Sequence, residues 1–350
     1  MEKIRLGIIG CGGMGNNHLK GLKELEDICT ITATCDIVEE RAKTACEELG
    51  AQMYTTDWTK MVDYVDAVVV ILPHHLHYEC GMYFVRHGKH VLMEKPLCNT
   101  ETECENLILA AEQNGVTLMC AYPVPYWAEV QELKRIVDSK EYGEVFQMSV
   151  WTEQLTMVTD TRLSWGATKR GLGGGQFFSH GCHYVDLLLW FLGNPVSGSH
   201  LGTRNGTPWM LKEGTSTLIM KFENGALGYH GATWGSRGSR LGYDYQIQTE
   251  KGMIEYQHYA GQIKLYDQGF KHQPGIAENP HYKVLWERGT DVSKETQFEI
   301  AHFAECVRTG ATPLTNAYET LQGLRVIWKL YEAEKQGVVA DLRGLGFAKN

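Results

Sequence analysis

A glycine-rich segment near the start of the chain has the spacing needed to bind a diphosphate. It fits the pattern G-x-G-x-x-G and directly follows an apolar run, Ile4 to Ile9, that predicts a buried strand. In this pattern the glycines permit a tight turn, a close approach of the backbone to a pyrophosphate, and close packing of the next helix, whose N-terminus attracts anions. We therefore expect a dinucleotide to contact Gly10, Gly12, Gly13, Met14 and Gly15.

An acidic residue follows the second predicted strand at the distance that this interpretation requires. Asp36 lies 21 residues after Gly15 and ends the β-branched run from Thr30 to Cys35. A carboxylate there accepts hydrogen bonds from ribose hydroxyls and repels a 2′-phosphate, which predicts NAD rather than NADP. Arg41 could weaken that preference by attracting the phosphate. The alternative is a glycine turn that binds nothing, with Asp36 as a strand-end cap.

Ionisable residues also follow two further predicted strands, the fourth over Ala67 to Leu72 and the fifth over His90 to Met93. Parallel strands present their ligand-binding loops at their carboxyl ends, so we expect these segments to lie beside the nicotinamide. A lysine near a positively charged nicotinamide is disfavoured as an ammonium ion and becomes a better base. The alternative for that lysine is a surface position in a tight turn before proline. The residues concerned are Pro73, His74, His77, Glu94 and Lys95.

A third set of candidate residues lies in the second half of the chain. Residues 176–192 predict one helix with an apolar face, preceded by the glycine-rich residues 171–175. On such a helix Ser179, His183 and Asp186 would share one stripe, because they are spaced by four and three residues. Asp186 could then orient the imidazole of His183, which could accept a proton. The alternative is a half-buried helix whose polar stripe contacts only solvent.

The elements that position these residues indicate an α/β protein with two domains. Up to residue 120, short apolar strands alternate with amphipathic helices, which is typical of a parallel sheet covered on both faces. Beyond Tyr122 the strands alternate apolar and polar residues, and tryptophan and tyrosine become frequent. We predict an N-terminal Rossmann domain with a doubly wound parallel sheet over 1–122. Residues 123–350 should form an α+β domain with a large, mostly antiparallel sheet.

Composition excludes several classes of protein. The 350 residues are 43% hydrophobic and 21% charged, which is an ordinary globular composition. A net charge of −9 argues against a nucleic-acid partner. No apolar run approaches the roughly 20 residues that span a membrane, and no signal peptide is evident, so we expect a cytoplasmic protein. The ten cysteines form no C-x-x-C pair and are expected to be reduced thiols.

The order of the motifs resembles the Gfo/Idh/MocA family over nearly the whole chain. The resemblance rests on the glycine fingerprint, Pro73 to His77, Glu94-Lys95-Pro96, Gly173 to Gly175 and His183 to Asp186. It implies that Lys95 and His183 are the catalytic residues and that His77 orders the loop beside the cofactor. The family usually has an aspartate four residues before the histidine. Ser179 stands there in this chain, which suggests a divergent substrate site.

The resemblance implies an NAD-dependent oxidoreductase that transfers a hydride to NAD from the carbon of a secondary hydroxyl in a sugar, cyclitol or glycoside. At the level of the subfamily, our hypothesis is oxidation at C3 of a glycoside. It also implies a homo-oligomer. Two alternatives remain: an NAD-dependent glycosidase that works by transient oxidation and elimination, and a dinucleotide-sensing regulator without catalysis. The expected substrate-binding residues are Tyr126, Trp151, Trp165, Ser179, His180 and Asp186.

Five histidines raise the question of a metal. His180 and His183 have the i, i+3 spacing of helical ligands, and three more histidines lie at 74, 75 and 77. If the two groups converged, a zinc site would be sterically possible. No acidic or cysteine-rich ligand motif accompanies them, and hydride transfer to NAD needs no metal. We therefore expect no metal site.

Overall fold

The computed structural model describes residues 3–22, 25–156, 172–267, 282–289 and 296–347. These residues form two compact units. The first contains the chain up to Tyr126, a short segment with Leu172 and Gly173, and a segment that ends at Leu321. The second contains the remainder. Our division at residues 122 and 123 describes continuous domains and stays a prediction, whereas the compact units are discontinuous in sequence.

The first unit is built on a six-stranded parallel sheet of order β3-β2-β1-β4-β5-β6. This confirms the predicted doubly wound sheet. Four helices alternate with the strands: α1 (Gly13–Leu22), α2 (Glu39–Leu49), α3 (His77–Arg86) and α4 (Glu101–Gln113). The strands are β1 (Ile4–Ile9), β2 (Cys29–Cys35), β3 (Met53–Thr55), β4 (Ala67–Val70), β5 (His90–Glu94) and β6 (Leu118–Ala121).

A helix from far along the chain completes the core of this unit. In α8 (Gln297–Thr309), Ile300 and Phe303 are fully buried and pack in the cluster that contains Ile8 and Leu92 of the sheet. The strands of a doubly wound sheet need apolar cover on both faces, and α8 supplies part of it. The unit therefore depends on residues beyond 295 as well as on the first 126.

The second unit contains a nine-stranded sheet of order β14-β13-β12-β11-β7-β10-β9-β8-β15. Its pairs are antiparallel except for β7 with β10, which confirms the predicted mostly antiparallel sheet. The unit also has α5 (Ala128–Asp138), α6 (Gln176–Ser179), α7 (Cys182–Leu192) and most of α9 (Ala317–Gln336). The strands are β7 (Val145–Glu153), β8 (Pro195–Thr203), β9 (Thr215–Phe222), β10 (Leu227–Thr233), β11 (Tyr245–Thr249), β12 (Gly252–Gln257), β13 (Gln262–Tyr266), β14 (Lys283–Glu287) and β15 (Ala340–Asp341).

The prediction of one continuous helix over 176–192 is wrong. The backbone ladder breaks at His180 and Gly181: the Gly181 N–H bonds to Gln176 O, and the His183 N–H bonds to His180 O. A Cβ on residue 181 would lie 2.5 Å from Phe177 O, so only glycine allows this close approach. Glycine is also a poor helix former, which favours a break at this position.

Two further expectations concern the cysteines and membrane-spanning helices. All ten cysteines are buried and free of disulfides, as expected for core thiols. Among the described residues, none of the helices has both the length and the apolar character required to cross a bilayer.

Candidate functional site

The glycine loop between β1 and α1 has the shape of a phosphate cradle. Gly10 has φ +99°, and a Cβ there would lie 2.0 Å from Ile71 O, while a Cβ on Gly15 would lie 2.3 Å from Gly10 O. Gly13, the first residue of α1, has open space where a Cβ would be. Gly10 and Gly15 pack tightly against neighbouring backbone oxygens, whereas the N-terminus of α1 has open space. This combination fits the diphosphate of a dinucleotide.

Asp36 is fixed beside this loop. Its Oδ2 accepts a hydrogen bond from the Cys11 N–H at 2.9 Å, and its Oδ1 accepts one from the Val38 N–H at 2.8 Å. The next residue, Ile37, is 89% exposed and offers an apolar surface. The exposed Arg41 places its Nη1 3.9 Å from the position of a Cβ on Gly12. Asp36 and Arg41 thus lie against the same loop. The carboxylate of Asp36 would bind a ribose, and the guanidinium of Arg41 could bind a phosphate.

The Lys95 turn, residues Glu94 to Pro96, follows β5 directly and contains a cis peptide bond before Pro96. Glu94 Oε2 accepts a hydrogen bond from the Lys95 N–H at 3.1 Å, and Glu94 Oε1 lies 2.8 Å from His18 Nε2. His18 is fully buried, and its Nδ1 lies 3.9 Å from Oε1 of the fully buried Glu299 on α8. Buried ionisable groups therefore connect this turn to α1 and α8. Sequence reasoning missed His18 and Glu299, which no local motif joins to Lys95.

His77 binds the same turn from the other side. Its Nδ1 lies 2.8 Å from Pro96 O, and its Nε2 lies 2.8 Å from Leu72 O. Burial lowers the pKa of His77, against the opposing effect of the two carbonyl oxygens. A neutral ring then donates to one of these carbonyls at a time, since a carbonyl oxygen only accepts. The ring connects the loop after β4 to the loop after β5.

His74 and Tyr126 also lie in the first unit. Burial lowers the pKa of His74 well below its ordinary value, so the ring is neutral at pH 7, and its Nδ1 lies 3.1 Å from Leu172 O. Pro73 precedes the short 3₁₀ turn His74–Leu76. The Tyr126 hydroxyl lies 3.3 Å from Thr315 Oγ1, and its ring packs 5.3 Å from His302 of α8.

In the second unit, His183 lies in the first turn of α7 and is 7% exposed. Asp186 is buried one turn further along the same helix, whereas the buried Ser179 is the last residue of α6. These three residues therefore do not share one stripe of a single helix. Ser179 lies before the break between α6 and α7, and His183 and Asp186 lie after it. His180, at the break, has its ring 5.8 Å from that of His183.

A buried carboxylate holds the glycine-rich segment that leads into α6. Glu213 Oε1 accepts hydrogen bonds from the Phe177 N–H at 3.2 Å and from the Tyr331 hydroxyl at 2.5 Å. The Tyr331 oxygen in turn accepts the N–H groups of Gly175 and Phe178, each at 3.2 Å. A Cβ on Gly175 would overlap the Glu213 carboxylate. The N-terminal end of α6 is thus fixed by charge and by hydrogen bonds.

The structure does not bring Trp151 to His183. The ring of Trp151 packs 5.9 Å from Tyr229 on the neighbouring strand. The next residue along β7, Thr152, bonds to His230, and His230 stacks on Tyr184 of α7. Successive side chains of a strand point to opposite faces, so Trp151 lies on the face away from α7. Trp165 lies outside the described residues.

In the described part of the chain, no three His, Cys, Asp or Glu side chains lie so that they could hold a metal ion.

Comparison with known proteins gives matches in both halves of the chain. The family model "Oxidoreductase family, NAD-binding Rossmann fold" matches residues 4–122, and "GFO/IDH/MocA C-terminal domain" matches residues 130–255. The chain is 24% identical to scyllo-inositol 2-dehydrogenase (NAD(+)) of Bacillus subtilis over 344 residues, covering 93% of this chain and 92% of that one. It is 26% identical to D-xylose 1-dehydrogenase (NADP(+)) 2 of Haloferax volcanii over 349 residues, covering 97% and 100%.

A solved structure shares the fold over almost the full length. Levoglucosan dehydrogenase in complex with NADH and levoglucosan superimposes with a TM-score of 0.86 at 18% identity, covering 98% of this chain and 100% of that one.

Proposed function

Because the chain belongs to the GFO/IDH/MocA family of oxidoreductases and contains its NAD-binding Rossmann domain, we propose that it oxidises a secondary hydroxyl of a sugar, cyclitol or glycoside. Oxidation at C3 of a glycoside is the specific form of this proposal. The observation that carries it is the Lys95 turn. Glu94 and His77 hold this turn at the carboxyl edge of the sheet that also bears the glycine loop. The related proteins named above are named for inositol, xylose and levoglucosan, which all carry several hydroxyl groups.

The residues that would hold NAD are those of the first unit. The glycine loop and the N-terminus of α1 receive the diphosphate, Asp36 receives the ribose hydroxyls, and the exposed Ile37 offers an apolar contact to the adenine. When bound, NAD supplies the acceptor for the hydride. The protein then has to orient the substrate hydroxyl and accept its proton.

We assign proton acceptance to His183. The residue four positions before the histidine is Ser179, so that position supplies no carboxylate to stabilise an imidazolium. A neutral imidazole accepts the hydroxyl proton directly, and Asp186 orients the ring. Lys95 is assigned the role of donating a hydrogen bond to the substrate oxygen or sharing its proton. Ser179, His180 and Asp186 remain the proposed substrate-side residues, together with Tyr126.

One experiment tests the proposal against its two alternatives. Purified protein is incubated with NAD and a panel of free sugars, cyclitols and O- and C-glycosides, while absorbance at 340 nm and the released aglycone are both followed. Accumulation of NADH with an intact aglycone supports the dehydrogenase. Release of the aglycone without net NADH indicates transient oxidation and elimination. Binding of NADH without turnover of any substrate indicates a regulator.

A further inference from the structure

A row of rings leads away from His183 in the second unit. The ring of His180 lies 6.0 Å from that of Tyr243, which lies 5.3 Å from that of His258, which lies 5.4 Å from that of Tyr259. We call His180, Tyr243, His258 and Tyr259 the aromatic row. His183, which lies beside the inner end of the row, is 7% exposed, the first three members of the row are partly buried, and Tyr259 at its outer end is 68% exposed. The row therefore leads from the proposed catalytic histidine to the surface.

The backbone holds the row in place. Gly242 has φ +65°, and a Cβ there would lie 3.1 Å from the His258 ring and 3.2 Å from the Tyr259 ring. The Tyr243 hydroxyl donates to Gln154 Oε1 at 2.6 Å, and the His258 N–H donates to Asp244 Oδ1 at 2.8 Å. Rings fixed in this way lose little freedom when a ligand binds, which favours their use as a binding surface.

The side chains of the row that have shifted pKa values are uncharged at pH 7. Burial lowers the pKa of His258 and raises that of Tyr243. Beside the row, the Trp234 ring lies 6.2 Å from His180. Its indole Nε1 is buried and has no hydrogen-bond partner among the described residues. A surface of uncharged rings is typical of a site for a neutral ligand that carries a ring.

On these grounds we propose that the aromatic row is a subsite for the second ring of a glycoside. This inference rests on the proposed function. The sugar that is oxidised lies next to His183, and the aglycone lies along Tyr243, His258 and Tyr259. The row is longer than a single sugar ring requires, and a free sugar or cyclitol would leave its outer part unused. The preferred substrates are therefore glycosides with an uncharged cyclic aglycone.

The competing ligand is a sugar with an anionic group, such as a nucleotide sugar. Arg237 and Arg240 are exposed on the segment between β10 and β11 and could attract a phosphate. They do not belong to the row, and Arg288, the cation that acts on His258, is paired with Glu129. We therefore commit to the neutral aglycone, and the nucleotide sugar becomes an outcome of the test.

The test compares the methyl and phenyl glycosides of the same sugar, as both anomers, with the corresponding UDP-sugar. For the wild type, kcat/KM for the phenyl glycoside should exceed that for the methyl glycoside by roughly 3- to 10-fold. Tyr259→Ala should abolish this preference by lowering only the value for the phenyl glycoside. Tyr259→Phe should retain the preference, because it keeps the ring. Tyr282→Ala, at an exposed tyrosine of the same unit that packs on Tyr266 and Lys264, is the matched control.

The outcomes separate this inference from the proposed function. If Tyr259→Ala lowers kcat/KM for both glycosides equally, or for neither, the proposed subsite is wrong, although the proposed dehydrogenase activity is unaffected. If turnover requires the UDP-sugar and is lost in Arg237→Ala and Arg240→Ala, the ligand is anionic and the inference is overturned. If no sugar or glycoside yields NADH with the wild type, the proposed function itself fails.

Discussion

The Lys95 turn and the surroundings of His183 are held in different ways. The Lys95 turn is fixed by ionisable partners: Glu94 accepts its N–H and contacts His18, which lies near Glu299, and His77 contacts Pro96. His183 is flanked by the ring of His180 at a break between two helices that Gly181 permits. The first region depends on buried ionisable side chains and hydrogen bonds, and the second on ring packing and a glycine.

This difference separates two functions of a dehydrogenase. Buried ionisable networks fix geometry strictly, because removal of one partner leaves the others unpaired. Ring contacts contribute less each and tolerate a change of ring. The Lys95 region therefore suits the common part of the chemistry, which is the placement of the substrate oxygen. The ring contacts around His183, rather than His183 itself, suit the part that differs between substrates.

The largest effect is expected at His183. If its neutral imidazole accepts the hydroxyl proton, His183→Ala should lower kcat/KM by ~10²–10⁴-fold or more, because general-base help is lost. Ser179→Ala should be mild. Ser179→Asp should stabilise the imidazolium and raise the pKa of His183, so the acid limb of the pH profile should move to higher pH. The measurement is kcat/KM against pH for the wild type and the three variants.

Two results would contradict this assignment. A rate close to that of the wild type in His183→Ala would leave Lys95 as the sole base. An acid limb that stays in place in Ser179→Asp would show that the titrating group is not His183.

The next largest effect is expected at Lys95. Lys95→Ala should lower turnover by ~10²–10⁴-fold, because the hydrogen bond to the substrate oxygen or the shared proton is lost. The affinity for NAD, measured by titration calorimetry, should change little. Lys60→Ala, at an exposed lysine of the same unit, is the control for the loss of a charge. A parallel collapse of NAD binding in Lys95→Ala would make Lys95 a cofactor clamp instead.

Stability should distinguish the two regions further. His18→Leu leaves the carboxylates of Glu94 and Glu299 buried without their histidine partner, which should lower the free energy of unfolding by about 3 kcal/mol at pH 8. Urea unfolding followed by circular dichroism measures the loss. The exposed His87→Leu should cost less than about 0.5 kcal/mol.

A loss in His18→Leu no larger than that in His87→Leu would show that the contacts of His18 do not stabilise the first unit. The contrast between the Lys95 turn and the surroundings of His183 would then have no counterpart in the stability of that unit.

The predictable parts of the molecule are those that local sequence determines. The strands β1, β2, β4, β5 and β6 are apolar runs with turns at their ends, and the glycine loop carries its own stereochemical signature, so both were predicted correctly. The contact of His18 with Glu299 could not be predicted, because the two residues are 281 positions apart and neither belongs to a motif. The break at Gly181 depends on a backbone contact with Phe177 O, and periodicity does not reveal it. The face occupied by Trp151 depends on its strand register, which only the folded sheet defines.

The smallest effect is expected at the adenosine end of the glycine loop, where a fixed carboxylate and an exposed guanidinium face the same loop. Asp36 should make NAD the preferred cofactor, and Asp36→Ser should lower the ratio of kcat/KM for NAD to that for NADP by about tenfold, or roughly 1.4 kcal/mol. Asp36→Asn is the matched control: it keeps an oxygen that can accept a hydrogen bond from the Cys11 or the Val38 N–H but loses the charge, so it isolates electrostatic repulsion from loop geometry.

Arg41 lies against Gly12, and if it attracts the 2′-phosphate, Arg41→Ala in the Asp36→Ser background should remove most of the gain with NADP. Equal efficiency with both cofactors in the wild type would show that the cation offsets the carboxylate. In that case the adenosine end of the glycine loop would tolerate a change of cofactor as readily as the aromatic row tolerates a change of aglycone.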